Sequence, residues 1–179
     1  MVFVNESWNG TDDIVVYSNY HKYWLDRERR IKNPLFDVYS GKILDLKEGK
    51  LSAIRYFYNL LNEEIREDVT ICVVPSSDCE KKITGISRLG EMLAENGRVN
   101  KVYLLNRKYS ISKLAYGGNR DMGVHLNSIE ALEELDMGND IVLLMDDVTT
   151  TGNSLYACKE ILLNHGACNV EMFALGKAI

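Results

Sequence analysis

Two adjacent acids, Asp146 and Asp147, follow the apolar run Ile141 to Met145 and precede the loop Thr149-Thr150-Thr151-Gly152-Asn153-Ser154. Carboxylates accept hydrogen bonds from vicinal hydroxyls, as on a ribose, and can support magnesium directly or through water. Threonine and serine hydroxyls donate to phosphate oxygens, and Gly152 lets the backbone come close to a ligand. Ser154 to Asn164 has helical spacing, and the amides at a helix N-terminus point outward and attract an anion. These residue types, in this order, suit a sugar that carries a phosphate. The plainer alternative is a strand-turn-helix with Asn153 or Ser154 as N-cap and two solvated acids.

The elements that must position this loop are legible around it. Ile141 to Met145 reads as a buried parallel strand. Val69 to Val74 is a second strand, ending at Pro75. Lys101 to Leu105 is a third, and Asn169 to Leu175 a fourth. Gly85 to Asn96 carries Ile86, Leu89, Met92 and Leu93 at helical spacing, with Gly97 to close it. Alternating strands and helices predict βαβ units, hence an α/β fold with a mostly parallel, twisted sheet flanked by helices. Loops at the carboxyl ends of such strands are where open sheets bind ligands. Leu126 to Leu135 reads as a strand, a helix (IEALEEL), or both in turn.

Residues 69–179 form the expected core. Residues 1–68 are rich in tyrosine and charge and read as an N-terminal cap or extra layer, not an independent domain. A hairpin is expected around Ser40-Gly41, and Leu51 to Ile65 is an amphipathic helix that can flank the sheet. Trp8, Tyr17, Tyr20, Tyr23 and Trp24 could stack on a base, although an aromatic packing layer is the commoner role.

The 179 residues suffice for one domain with a proper core, and the 46% apolar fraction is ordinary. A net charge of −5 argues against wholesale binding to nucleic acid or an acidic membrane. No apolar run approaches a membrane span, and the N-terminus lacks the pattern of a signal peptide. The four cysteines are Cys72, Cys79, Cys158 and Cys168; none forms a CxxC pair, which disfavours a zinc ribbon and points to a reduced, cytoplasmic setting.

The string from Ile141 to Ser154 resembles the phosphoribosyl diphosphate (PRPP) signature of type I phosphoribosyltransferases, in its ComF-like branch. Val73-Val74-Pro75, the helix at Gly85 to Ala94, and the arginines Arg107 and Arg120 add weaker matches, so the likeness runs from Val69 to Leu175. It implies a PRPP-dependent transfer to a nitrogenous acceptor, with Mg2+ as cofactor. By position, Asp146 and Asp147 would bind ribose hydroxyls and, directly or through water, the metal. Thr149, Thr150, Thr151, Gly152, Asn153 and Ser154 would hold the 5′-phosphate. Ser76, Ser77 and Asp78 would form the pyrophosphate loop, with Lys81 and Lys82 nearby, although a surface lysine pair is more often solvated. Arg107, Lys108, Lys113 and Arg120 would belong to a mobile lid. Thr150 stands where purine-salvage members carry an acid, which argues against 6-oxopurine acceptors. The zinc ribbon common in the ComF-like branch is missing. A PRPP- or nucleotide-binding regulator without turnover is the alternative, and a homodimer is left open.

Overall fold

The computed structural model describes residues 1–10, 13–111, 121–135 and 141–179. Elements are numbered in chain order. The fold is α/β, and its centre is a five-stranded parallel sheet. The strands are β1 (Val15–Tyr20), β4 (Thr70–Val73), β5 (Val99–Asn100), β8 (Ile141–Thr149) and β9 (Asn169–Ala178), in the order β1-β9-β8-β4-β5. Val142, Leu143, Leu144 and Met145 are all fully buried, because both faces of β8 are covered.

One face carries α1 (Val38–Lys47), α2 (Leu51–Leu61) and α3 (Gly85–Ala94). Ile43, Leu46, Phe57 and Leu89 pack there against Ile71, Leu143, Met145 and Phe173. The other face carries α5 (Asn153–Asn164), which packs against α4 (Met122–Ser128). Leu155, Cys158 and Leu162 meet Cys72, Val142, Leu144 and Met172. Two small antiparallel pairs lie outside this sheet: β2 (Trp24–Asp26) with β3 (Ile31–Lys32), and β6 (Leu105–Arg107) with β7 (Ile129–Ala131). Among the described residues, no helix is long and apolar enough to cross a membrane.

Residues 1–68 therefore supply an edge strand and two helices to the same sheet. The hairpin expected at Ser40-Gly41 is instead the first turn of α1. The Asp37 carboxylate accepts from the Ser40 amide at 2.7 Å and caps the helix, and Ile43 and Leu46 then fall on its buried side. The strand expected at Lys101 to Leu105 is also displaced. Val99–Asn100 alone joins the sheet, and the Asn100 side chain accepts from the Val102 amide at 3.2 Å, which turns the chain away. The IEALEEL segment forms no helix over its described length: β7 occupies its start, after α4. The strand expected to stop at Met145 runs on to Thr149, because Asp146, Val148 and Thr149 keep their pairing with Ala174, Gly176 and Lys177 of β9.

Candidate functional site

From β4 the chain moves outward through α3 to β5, then returns past β4 to β8 and continues outward to β9. The strand order thus reverses between β4 and β8. Loops that leave adjacent strands in opposite directions open a crevice at their carboxyl ends. Here the loops are Val74 to Thr84 after β4 and Thr150 to Gly152 after β8. The pyrophosphate-loop and phosphate-loop residues expected from the sequence therefore flank one crevice.

Asp146 and Asp147 stand on the last turns of pleat in β8. Successive side chains on a strand point to opposite faces. Asp147 faces the α1 layer, where the Lys47 ammonium lies 3.1 Å from its Oδ1. Asp146 feels the charge of Arg107 and neighbours the Cys158 thiol, on the α5 side. It retains some solvent-accessible surface, yet protein atoms crowd it. Desolvation, then repulsion by Asp147, pushes its carboxyl up to about 7, against the opposing pull of Lys47, the Asp147 amide and Arg107. The Asp147 amide donates to Asp146 Oδ1 at 2.8 Å. Burial works against the charge of Lys47, but the attraction and hydrogen bond of Asp147, with Asp146 behind it, outweigh this and raise its pKa.

The loop after β8 ends on Gly152, the N-cap of α5, at φ +84°. A Cβ there would lie 2.5 Å from Ile14 Cδ1 and 2.8 Å from Tyr156 Cε2, so the left-handed backbone and the close packing both call for glycine. Neither Asn153 nor Ser154 is the N-cap; both lie inside the first turn of α5. Thr150 and Thr151 are exposed, whereas Thr149 is only 5% exposed. Among the described residues, the Thr149 hydroxyl finds no hydrogen-bond partner. A buried hydroxyl with no partner in the protein is costly to keep unless a ligand supplies one.

After β4, Asp78 is exposed and Ser76 and Ser77 are half-buried. The Asp78 amide donates to Ser76 Oγ at 3.2 Å, and the Ser77 carbonyl accepts from the Ile111 amide at 2.9 Å. Lys81 and Lys82 are exposed, and Lys82 Nζ donates to the Asn106 side chain. A cavity of about 210 Å³ opens on the β5 side of this loop; Ser76, Asp78 and Arg107 help to line it, whereas Asp146 does not.

Arg107, expected from the sequence among the lid candidates, is a buried residue. It is 3% exposed, and its Nε donates to the Ser76 carbonyl at 2.5 Å and its Nη1 to Ser128 Oγ at 2.6 Å. One buried guanidinium thus ties the loop after β4 to α4, because its five fixed donors can satisfy several acceptors at once. Lys108 is exposed and donates its amide to the Ser128 carbonyl at 2.8 Å. Lys113 and Arg120 lie outside the described residues.

Sequence reasoning missed Lys47, which joins the acids from the far end of α1. Of the aromatic residues at the N-terminus, Trp8 packs on Phe3 and Phe173, and Tyr17 stacks on Tyr39. Tyr23 and Trp24 pack edge-to-face on each other. Tyr20, at the carboxyl end of β1, has the Lys47 ammonium 5.7 Å from its ring centroid. As a metal site the acids supply hard oxygen donors, which suit magnesium. Among the described residues, no group of three or more His, Cys, Asp or Glu is gathered for an all-protein cage. The donor set fits an ion that shares its coordination with a ligand's phosphates and water.

No protein-family model matches the chain, and no curated protein matches it in sequence.

Proposed function

We infer that this chain binds PRPP and transfers its 5-phosphoribosyl group to a nitrogen acceptor, releasing pyrophosphate. The observation that carries the reading is the placement of Asp146, Asp147 and the Thr149–Ser154 loop at the β4/β8 reversal, with the Thr149 hydroxyl buried and unpartnered among the described residues. The sequence resemblance to the type I phosphoribosyltransferases supports the same ligand.

In this reading the 5′-phosphate sits at the N-terminus of α5, where backbone amides and the helix dipole favour an anion. The Thr149 hydroxyl donates to it or to the ribose. Asp146 and Asp147 accept hydrogen bonds from the ribose hydroxyls, which fixes the sugar for attack at C1. The C1–O bond to pyrophosphate breaks as the acceptor nitrogen forms a C1–N bond, and the nitrogen's proton leaves to solvent or a base. The loop from Ser76 to Asp78 orients the departing pyrophosphate, held in place by Arg107. Magnesium, carried on the ligand and steadied by the acids through water, would neutralise the leaving charge.

Thr150 favours a second reading, a PRPP sensor without turnover, because it replaces an acid that handles the acceptor's proton in purine-salvage members. Calorimetry with PRPP and magnesium, on wild type and Asp146→Asn/Asp147→Asn, tests both. Binding that the double variant loses supports the pocket, and equal titrations would sink it. Pyrophosphate release across nitrogenous acceptors then separates transferase from sensor.

A further inference from the structure

Lys47 is the last residue of α1 and reaches the crevice from outside the stretch that resembles the PRPP signature. Its ammonium lies 3.1 Å from Asp147 Oδ1 and 5.7 Å from the centre of the Tyr20 ring. The ion pair is not deeply enclosed: the lysine side chain is 36% exposed and that of Asp147 is 24% exposed. A ligand can therefore reach both groups. The backbone that carries Lys47 is rigidly placed. Ile43 and Leu46 of α1 are fully buried, and Leu46 presses on the start of α3, where a Cβ on Gly85 would lie 1.7 Å from the Leu46 carbonyl oxygen.

Two facts fix which part of a ligand this cation faces. α1 and α3 cover one face of the sheet and α5 the other. An anion at the N-terminus of α5 therefore lies on the far side of β8 from Lys47. The loop that leads into α3, by contrast, runs from Val74 to Thr84 through Ser76 to Asp78, and delivers the chain to Gly85, which packs against the Leu46 carbonyl on the face of the sheet that carries α1. Once ribose hydroxyls occupy the Asp147 carboxylate, Lys47 loses that partner and is left on the face of the sheet toward which that loop runs. A freed ammonium in a partly desolvated crevice seeks an anionic oxygen.

We propose that Lys47 is a substrate-binding residue: Asp147 exchanges it for the ligand's hydroxyls, and its ammonium then holds the pyrophosphate group, not the 5′-phosphate. This rests on the PRPP reading above. It also gives the N-terminal helices a direct part in ligand binding.

Calorimetry with three probes tests it, each with magnesium: PRPP, inorganic pyrophosphate and ribose 5-phosphate. Wild type must bind PRPP and Asp147→Asn must weaken it; otherwise the PRPP reading itself fails and Lys47 is not at issue. Given that, Lys47→Met should weaken PRPP and pyrophosphate roughly 10- to 100-fold, the scale of one charge-assisted hydrogen bond. Ribose 5-phosphate should change by less than about threefold, since its phosphate lies across the strand. Lys47→Arg should recover most of the PRPP affinity, which a merely structural role would not predict. Lys47→Gln serves as the second neutral variant should Lys47→Met fail to fold. Lys50→Met, at an exposed lysine paired with Asp45 and Glu48, should leave all three titrations unchanged. Unchanged PRPP affinity in the neutral Lys47 variants would overturn the proposal. So would equal weakening of all three probes.

Discussion

Gly85→Ala tests whether the N-terminal helices are part of the core that holds the site. The added Cβ would lie 1.7 Å from the Leu46 carbonyl oxygen and 2.7 Å from the Leu46 carbonyl carbon. Both are backbone atoms, so no side-chain rotation relieves the overlap. The end of α1 must move by an ångström or more, or α3 must shift on β4. Overpacking of this kind costs about 1–3 kcal/mol, and more when backbone must yield. Against it stands the helix preference of alanine over glycine, at most about 1 kcal/mol, and less in the first turn of a helix. The steric effect wins, and a net loss of about 1–3 kcal/mol follows. Gly41→Ala is the matched control. Gly41 lies within α1, and its Cβ would meet only Phe36 ring atoms at 3.6 and 3.7 Å, an ordinary contact. That change should stabilise by about 0.5–1 kcal/mol. Urea unfolding followed by circular dichroism reads both. A Gly85→Ala variant within about 0.5 kcal/mol of wild type would refute the claim that α1 and α3 are locked together.

Asp146 makes a pH prediction. Its folded carboxyl is raised to about 7, so the folded state binds that proton more tightly than the unfolded chain does. Its cost to stability is therefore absent below about pH 4, grows as pH rises toward 7, and is fully present above. Asp146→Asn should raise the urea midpoint at pH 8 by the equivalent of about 1–2 kcal/mol and leave it unchanged near pH 4. Equal midpoints at pH 8 would contradict the burial argument. Thr149→Val removes a hydroxyl that has no partner among the described residues, so stability should rise by up to about 1 kcal/mol while ribose 5-phosphate binding weakens. A destabilised variant in thermal melts would mean that the hydroxyl is satisfied within the protein. Arg107→Met removes the donors to the Ser76 carbonyl and to Ser128 Oγ, which keeps its own bond to the His125 carbonyl, and should cost about 2–4 kcal/mol in urea unfolding. A loss under about 1 kcal/mol would show that Arg107 does not anchor the loop after β4.

What the sequence made legible follows from local signals. β8, α5 and α3 stand out because an apolar run or a helical stripe is bounded by glycine or a polar cap within a few residues. Their order alone places the two loops at one sheet end. The hairpin at Ser40-Gly41 fails because a Ser-Gly pair serves a turn or a helix's first turn equally, and Asp37 decides for the helix through one hydrogen bond. β8 outruns its apolar stretch because pairing with β9 is a tertiary matter that Asp146 and Asp147 do not announce. Arg107 reads as one cation among several in a basic segment. Its burial depends on carbonyls of a loop far away in sequence. Lys47 was invisible for the same reason: its partner is chosen by how α1 lies across the sheet.

The central claim is that a ribose phosphate lies across the β4/β8 crevice with its phosphate at the start of α5. Backbone-amide NMR during titration with ribose 5-phosphate tests it most directly. The account predicts that the amides of Thr150 to Ser154 shift most and saturate together, and that Asp146→Asn/Asp147→Asn weakens the response. Shifts confined to other parts of the molecule, or none at ligand concentrations in the millimolar range, would contradict it.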